Sequence, residues 1–420
     1  MHSLFITPPN EFYSPLSGGA VATVIMETAR PLLEANHEVT ILAPATEDPQ
    51  YPVGRVLPMH VHSRNDLHFL RRRLNALRTR LARYDWPYYH YYLREIRRLL
   101  KTLPAPPDAV TVFNDLVAPK HLRPLLPRST KMFTWLHNEW RTRQPDIRPI
   151  DRSVDKFLTC SHYIADWTTT HYRLPRTRFA PLPNGVNLQT FHPRENFLAP
   201  SSPLKVLFLG RIDPNKGPDL AARAVAQLRA ENLPLSLTVA GGLWFYNRGN
   251  ESADPFFQSL QPLMQTANAT YLGHVPRDKV PALVRDHDVA CVLSRSNEPF
   301  GLVALEAMAS GLAVIASNRG GLPEACGTAG ILLNPDDFPS IVSALRTLAT
   351  NPAALAEQKQ KSLARAQSSP WSTVADKLLA LTQQTVPAES LAPPHQIENR
   401  KSKIENPLPV EPRLSAEAPS

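Results

Sequence analysis

Two glutamates eight positions apart, Glu298 and Glu306, bracket a turn with the chemistry of an anion-binding site. An apolar run over 288–293 predicts a strand before the turn, and the pattern over 301–310 predicts a short helix after it. Because Gly301 has no side chain, the backbone N–H groups that open this helix are accessible, and the helix dipole favours a negative charge beside them. A phosphate group would fit there.

A second pair of chemically capable residues, Arg211 and Lys216, lies in the loop Gly-Arg-Ile-Asp-Pro-Asn-Lys-Gly after a predicted strand over 204–210. Two cations at a strand end could stabilise the negative charge that develops on a departing nucleoside diphosphate. The alternative is a pair of surface cations on a turn. The glycines next to both cations, Gly210 and Gly217, argue against this alternative.

In the first half of the chain, His137 and Asn138 follow a predicted strand over 131–136. The carboxyl ends of parallel strands are where such sheets bind ligands, although a lone His is more often structural. The pair Gly18-Gly19 separates the first strand from a predicted helix over 20–34. There is no G-x-G-x-x-G, and this argues against a dinucleotide-dependent oxidoreductase.

The residues from Gly18-Gly19 to about Trp371 resemble retaining glycosyltransferases of family four, which have the GT-B architecture. The resemblance rests on Glu298 and Glu306, which stand as the two glutamates of that family's Glu-seven-residues-Glu signature. It implies that Glu298 contacts the sugar of a nucleoside diphosphate sugar donor and that Glu306 contacts the ribose.

The resemblance also implies roles for the other residues named above. In the family, the equivalents of Arg211 and Lys216 bind the diphosphate, and a His in the place of His137 touches the donor sugar near its 6-hydroxyl. The remaining candidate substrate-binding residues are the glycine loop, the residue after His137 and the turn that opens the helix: Gly18, Gly19, Asn138, Phe300, Gly301 and Leu302.

We therefore expect an α/β protein of GT-B type, with two facing Rossmann-like domains, parallel sheets and a C-terminal crossover helix. The expected boundaries are 1–186 for an acceptor domain, 187–203 for a linker, 204–369 for a nucleotide-sugar domain, 370–385 for the crossover helix and 386–420 for a disordered tail. The family usually has Asp where Asn187 stands, and we expect this difference to affect hinge bonding more than chemistry.

The predicted function is the transfer of a sugar from a nucleoside diphosphate sugar to a glycan or lipid-linked acceptor hydroxyl, with retention at the anomeric carbon, in polysaccharide, glycolipid or cell-envelope glycan synthesis. Retention is implied by the resemblance alone. The alternatives are a GT-B epimerase, which is also an enzyme, and a non-catalytic scaffold that binds sugar nucleotides. The complete set of Arg211, Lys216, Glu298 and Glu306 favours turnover over a scaffold.

We expect no cofactor and no metal ion, since the donor is a co-substrate. The triplet Asp286-His287-Asp288 has metal-ligand spacing but falls at the start of a predicted strand, the wrong end for this cleft. The three cysteines, Cys160, Cys291 and Cys326, are far apart in sequence, which predicts reduced thiols and an intracellular protein.

Positive charge is concentrated in one segment, because residues 64–101 hold eleven of the Lys and Arg residues against three acidic ones. Leucines recur every three or four positions over 65–83, which predicts an amphipathic helix. The segment could cover the core with a solvated Arg face, or it could contact an anionic membrane surface or an anionic acceptor. The aromatic residues grouped with the second interpretation are Trp86, Tyr88, Tyr89, Tyr91 and Tyr92.

No nucleic-acid-binding module is present, so we expect no nucleic acid partner. Residues 1–9 lack the pattern of a signal peptide, and no uninterrupted apolar run approaches the ~20 residues of a membrane helix. We expect a cytoplasmic protein, with peripheral attachment to the inner face of the membrane as the alternative that the basic segment raises.

Overall fold

The first half of the chain forms a seven-stranded sheet in which every pairing is parallel, in the order β3-β2-β1-β4-β5-β6-β7. The computed structural model describes residues 1–17, 19–61, 89–140, 147–243 and 254–384. The strands are β1 (His2–Ile6), β2 (Glu38–Pro44), β3 (Arg55–Met59), β4 (Ala109–Phe113), β5 (Lys131–Leu136), β6 (Lys156–Thr159) and β7 (Phe179–Pro181). Every residue of the central strand β4 is buried because helices cover both faces of the sheet.

Five α-helices accompany this sheet in the described residues: α1 (Ala20–Glu34), α2 (Tyr89–Leu100), α3 (Ala118–Leu122), α4 (Ile147–Asp151) and α5 (His162–Tyr172). The predicted bounds of α1 are confirmed. Helix α5 is capped by Ser161, whose hydroxyl accepts a hydrogen bond from the Ile164 N–H, and the helix begins at the next residue.

The second half forms a six-stranded parallel sheet in the order β10-β9-β8-β11-β12-β13. Its strands are β8 (Leu204–Leu209), β9 (Leu235–Ala240), β10 (Ala269–Gly273), β11 (Val289–Val292), β12 (Ala313–Ser317) and β13 (Ile331–Leu333). The helices are α6 (Pro218–Ala230), α7 (Pro255–Thr266), α8 (Val280–Arg285), α9 (Leu302–Ala309), α10 (Leu322–Cys326), α11 (Phe338–Thr350) and α12 (Pro352–Gln367).

The last helix, α13 (Trp371–Gln383), packs with α1 on the first sheet rather than on the second. Its Val374 and Leu378 belong to the same buried cluster as Ile25 of α1 and Phe5 of β1. Because the preceding helices belong to the second half, the chain crosses back to the first domain here. The predicted crossover helix is therefore confirmed.

The two chain crossings between the domains lie side by side. Val186, on the way into the second domain, forms an isolated parallel bridge with Pro370, on the way back, and its N–H donates to the Ser369 carbonyl at 2.8 Å. A Cβ added to Gly185 would come 2.7 Å from the Trp371 nitrogen, so the two crossings are in close contact.

The segment after Asn187 belongs structurally to the second domain because a buried ionic cluster fixes it there. Asp288 is fully buried, and its carboxylate lies 2.7 Å from both the Lys359 ammonium and the Arg194 guanidinium. The Lys359 ammonium also donates to the Phe197 carbonyl at 2.7 Å. Removal of one charged member of this cluster would be costly, because the charge that remains would stay buried.

Prolines mark the starts of the last two helices. After β13 the described chain forms three helices, α11, α12 and α13. Pro352 begins α12 and Pro370 precedes α13, where the missing N–H of proline ends one helix and suits the start of the next.

The basic helix predicted over 65–83 and the tail predicted over 386–420 lie outside the described residues. Two of the aromatic residues that we grouped with a membrane contact are core residues instead. Tyr89 is 5% exposed and Tyr92 is fully buried; their hydroxyls donate to the Asp115 carboxylate at 2.5 Å and to the Thr7 carbonyl at 2.8 Å. No helix within the described ranges combines the length and the apolar character needed to cross a bilayer.

Candidate functional site

The candidate site lies along the carboxyl ends of β8, β11 and β12, which are neighbours in the second sheet. Because the strands are parallel, the loops that follow them meet at one edge. The loop after β8 holds Arg211 and Lys216, the loop after β11 holds Glu298, and the loop after β12 holds Gly320 and Gly321. The sequence predicted that Arg211, Lys216 and Glu298 follow strands, and the structure brings their loops together.

Lys216 and Glu298 are in direct contact across this edge, with 2.5 Å between the Lys Nζ and the Glu Oε1. The Ser294 hydroxyl donates to the same oxygen. Glu298 is 9% exposed, so its carboxylate is held by two donors in a largely enclosed position. Ser294 was not identified from the sequence, although its position just after β11 was a usable signal.

A sharp turn brings Lys216 to this position. Residues 214–216 form a 3₁₀ turn, and Gly217 follows with a φ of +73°, where a glycine has no steric penalty. A Cβ at Gly217 would come 2.2 Å from the Leu293 carbonyl oxygen, so the turn lies directly on the end of β11. The other cation of the loop, Arg211, has its Nη1 3.9 Å from the Asp213 carboxylate and is 34% exposed at its side chain.

The backbone at Glu298 is fixed by the second glycine loop. Glu298 and Gly320 form a parallel bridge, and the Gly321 N–H donates to the Glu298 carbonyl at 2.6 Å. A side chain at Gly320 would come 2.2 Å from that carbonyl oxygen. The two loops therefore behave as one unit that sets the position of Glu298.

Helix α9 begins beside this unit. Gly301 precedes it with a φ of +108°, and a Cβ there would lie 2.5 Å from the Leu322 side chain. Phe300 is 2% exposed, which anchors the turn, and Leu302 is the first residue of the helix. The first N–H groups of a helix have no acceptor inside it, so the positive end of the α9 dipole is directed at this edge.

Glu306 lies on α9, is 4% exposed and forms a two-point ion pair with Arg277. The Arg277 Nη1 donates to Oε2 at 3.0 Å, and Nη2 donates to Oε1. Burial alone would lower the pKa of Arg277, but the Glu306 charge and hydrogen bonds outweigh burial and raise it. The guanidinium also lies 5.2 Å from the centre of the Phe191 ring. Arg277 was not identified as a site residue from the sequence.

The first domain contributes His137, which is 7% exposed at the end of β5. Its backbone N–H donates to the Asn114 Oδ1 at 3.2 Å, and its ring stacks on Phe113 with the ring centres 5.9 Å apart. Burial lowers its pKa to about 3, so the imidazole is neutral at pH 7. Within the described residues no group makes a hydrogen bond to its buried Nε2. Asn138, the next residue, is exposed.

The glycine pair before α1 lies partly outside the described residues, because Gly18 is not among them. The Gly19 and Ala22 N–H groups donate to one oxygen of the Glu11 carboxylate, at 2.8 and 2.9 Å. Burial raises the pKa of Glu11, while these two hydrogen bonds oppose the rise. An internal carboxylate therefore occupies the position that an anionic ligand would take at this helix end.

Asn187 connects the chain crossing to a buried glutamate of the first domain. Its side-chain nitrogen donates to the Glu27 carboxylate at 3.0 Å, and its oxygen accepts from the Gln189 and Thr190 N–H groups, each at 3.1 Å. Burial raises the pKa of Glu27. An Asp in place of Asn187 has no N–H to donate, so Asn at this position matches its buried carboxylate neighbour.

The described part of the chain contains no group of three or more His, Cys, Asp or Glu residues that could hold a metal ion. The members of the triplet with metal-ligand spacing have other partners. Asp286 pairs with Lys205 at 2.9 Å, the His287 Nε2 lies 2.8 Å from the Thr238 hydroxyl, and Asp288 is in the buried cluster described above. All three cysteines are buried and free of disulfides.

Comparison with known proteins places this geometry in context. The D-inositol 3-phosphate glycosyltransferase of Rhodococcus erythropolis (strain PR4 / NBRC 100887) is 34% identical over 218 residues, which make up 50% of this chain and 49% of that protein. The chain spans about half the length of the curated relatives that it matches first.

Solved structures resemble the chain over most of its length. Sucrose-phosphate synthase from Thermosynechococcus elongatus has a TM-score of 0.68 at 19% identity, with 91% of this chain and 98% of that chain covered. Anabaena Alr3699/HepE in complex with UDP has a TM-score of 0.65 at 16% identity, with 91% and 99% covered. At these identities the likeness shows the fold, and the predicted GT-B architecture is confirmed.

Two family models together match most of the chain. The model described as Glycosyltransferase Family 4 matches residues 17–190, and the model described as Glycosyl transferases group 1 matches residues 191–366. The first match covers the sheet that carries His137, and the second covers the edge that carries Lys216 and Glu298. Sequence and fold agree on one conclusion, which is that the chain belongs to glycosyltransferase family 4.

Proposed function

We propose that this glycosyltransferase moves a sugar from a nucleoside diphosphate sugar to an acceptor hydroxyl, with retention at the anomeric carbon and without a metal ion. The observation that carries the proposal is the contact between Lys216 and Glu298 beside the first turn of α9. A cation, a carboxylate and a helix N-terminus therefore lie at the same edge of the sheet. The cation and the helix N-terminus suit a charged diphosphate, and the carboxylate suits the hydroxyls of an uncharged sugar.

The leaving diphosphate would lie between the Lys216 ammonium and the N–H groups that open α9. A Lys ammonium has three donors, so Lys216 can hold Glu298 with one and present others to phosphate oxygens. Arg211, in the same loop, would add a second cation. These groups stabilise the charge that develops as the bond to the sugar breaks, which is the type of interaction that lowers a reaction barrier.

The sugar would lie between Glu298 of the second domain and His137 of the first. Glu298 is ideally suited to accept hydrogen bonds from sugar hydroxyls because Lys216 and Ser294 already fix its orientation. The neutral His137 ring would bond to a sugar hydroxyl through Nε2, the nitrogen for which no described residue provides a partner.

The ribose would bond to Glu306. A carboxylate offers about four lone-pair positions, and the two-point pair with Arg277 uses two of them. The two that remain match the two hydroxyls of a ribose. The solved Anabaena Alr3699/HepE complexes hold UDP and UDP-glucose, which supports a nucleotide-sugar donor for a chain of the same fold.

A panel of UDP-, GDP- and ADP-sugars tests the proposal, with thermal shift and donor hydrolysis as the readouts, each with and without EDTA. A donor at about 100 times its dissociation constant adds about 2.7 kcal/mol to the unfolding free energy, which gives a measurable shift. We expect a shift and hydrolysis with one donor class, unaffected by EDTA. Binding without any turnover, with or without added acceptors, would indicate a sugar-nucleotide scaffold instead. Loss of turnover with EDTA would contradict the metal-free mechanism.

A further inference from the structure

The second domain contacts the first through a carboxylate placed at the start of a helix. Glu324 follows the second glycine loop, and its Oε2 accepts a hydrogen bond from the His162 N–H at 2.7 Å. Its Oε1 accepts from the Tyr163 N–H, also at 2.7 Å. His162 and Tyr163 are the first two residues of α5 in the other domain.

This contact completes the capping of α5. Ser161, its N-cap, satisfies the Ile164 N–H at 3.1 Å, and Glu324 satisfies the two N–H groups before it. A negative charge at this end of a helix is also favoured by the helix dipole. Part of the first turn of α5 is therefore capped by a residue of the same domain, and part by a residue of the other.

A second hydrogen bond across the domains lies beside the first. The Ser161 hydroxyl, while it accepts from Ile164, donates to the Pro299 carbonyl at 2.6 Å. Pro299 stands between Glu298 and Phe300 in the loop of the candidate donor site. The start of α5 thus contacts the loop that holds Glu298 and the helix α10 that follows the second glycine loop.

Glu324 is itself held firmly within the second domain. The Arg365 guanidinium of α12 donates to the Glu324 carbonyl at 2.8 Å and to the Ala325 carbonyl at 3.1 Å. The backbone of Glu324 is therefore fixed independently of the first domain. Its carboxylate can lose the α5 amides to water without disturbing the second domain, because water can replace both partners.

We propose that Glu324 is a positioning residue that fixes the closed arrangement of the two domains by capping α5. This inference rests on the proposed function. In that function Glu298 and His137 contact the sugar from different domains, so the two domains must be closed for turnover. The donor contacts other than His137 lie in the second domain. Loss of the Glu324 carboxylate therefore lowers turnover and leaves donor affinity nearly unchanged.

The test uses the full chain with Glu324→Gln and Glu324→Ala. We expect kcat to fall about tenfold in the Gln variant, where one amide oxygen can still accept, and further in the Ala variant. The dissociation constant of the nucleoside diphosphate should stay within about twofold of the wild-type value. Glu357→Gln, at an exposed residue of α12 that pairs with Lys361, is the matched control and should behave as wild type.

A readout that needs no activity separates this inference from the proposed function. Amide hydrogen exchange at residues 162–163 should become faster in Glu324→Ala, and the radius of gyration in solution should rise. These measurements decide the inference even if no donor is turned over. Unchanged exchange, unchanged kcat, or a loss of donor affinity and melting temperature in parallel with kcat would each overturn it.

Discussion

Lys216 and Glu298 come from loops 82 positions apart in sequence, yet the Lys Nζ lies 2.5 Å from the Glu Oε1. The contact joins the residue expected to bind the leaving group to the residue expected to bind the sugar. Because one ammonium serves both, a change at Lys216 should affect the charge on the diphosphate and the orientation of Glu298 together.

Lys216→Met keeps much of the length of the side chain and removes its charge. We expect kcat/KM to fall about 100-fold, the usual order for loss of one group that stabilises transition-state charge. The matched control is Lys205→Met, at the opposite end of β8, where the ammonium pairs with Asp286 at the surface. Steady-state kinetics with the donor from the panel would check this. Wild-type kcat/KM in the Lys216 variant would remove Lys216 from the site.

Glu306→Gln replaces a carboxylate that accepts from both Arg277 nitrogens with an amide that has only one acceptor oxygen. We expect the dissociation constant of the nucleoside diphosphate to rise about tenfold, as charged hydrogen bonds to the ribose are lost. Isothermal titration would measure the change. Glu231→Gln, at an exposed ion pair with Arg346, provides the control and should leave affinity unchanged. Equal affinities for all three proteins would contradict the ribose assignment.

The ion pair between Arg277 and Glu306 should also affect stability. Arg277→Met leaves the buried Glu306 carboxylate without its charged partner and should cost about 3–5 kcal/mol of unfolding free energy. The double variant Arg277→Met/Glu306→Leu removes both charges and should recover much of that loss. Urea denaturation would measure both. A double variant no more stable than the single one would show that the cost lies in packing rather than in charge.

His137 predicts a specific pH dependence of stability. In the folded protein its pKa is about 3, whereas an unperturbed His has a pKa of 6.5, so between these values the unfolded state binds one more proton. The contribution to stability is therefore complete above pH 6.5 and is lost as the pH falls below it, by about 1.4 kcal/mol per pH unit.

His137→Gln removes this titration. From pH 7 to pH 5 the wild-type protein should lose about 2 kcal/mol more unfolding free energy than the variant does, as measured by urea denaturation at each pH. Parallel losses in the two proteins would show that the pKa of His137 is the same in the folded and unfolded states. The comparison between proteins matters because other groups, such as His121, also titrate in this range.

Asn187→Asp restores the residue that is usual in the family but places a carboxylate where Glu27 now receives an N–H. We expect a loss of about 2 kcal/mol at pH 8. The pKa of Glu27 is already raised by burial, so the loss should shrink as the pH falls and a proton is shared by the two groups. The double variant Glu27→Gln/Asn187→Asp reverses donor and acceptor and should restore stability. Melting curves at pH 5 and pH 8 test this.

Local patterns predicted most of the elements and the residues at strand ends. Strand β5 and helix α1 appear at the predicted bounds because their apolar periodicity and flanking residues are local signals. Glu298 and Lys216 could be placed at one edge because parallel strands bring their carboxyl ends together. What could not be predicted was which of these side chains touch.

The contacts that sequence reasoning missed depend on how distant segments pack. Arg277 reaches Glu306 only because the loop after β10 lies over α9. Glu324 caps α5 only because the two domains are in contact, since Glu324 and His162 are 162 positions apart in sequence. Tyr92 illustrates the reverse error: its aromatic neighbours suggested a surface, but its side chain follows the apolar face of α2 into the core.

The paired crossing at Val186 and Pro370 restricts how the cleft can open. Because the two crossing segments are hydrogen-bonded to each other, we expect the domains to open by rotation about one axis that passes through both segments. The segment after Asn187 is held on the second domain by the cluster of Asp288 and Lys359. We therefore expect little twisting or sliding of one domain relative to the other. Substrate entry and product release would then depend on the same rotation of the domains. Gly185 lies at the axis of this rotation, and the space around it is too small for any larger residue.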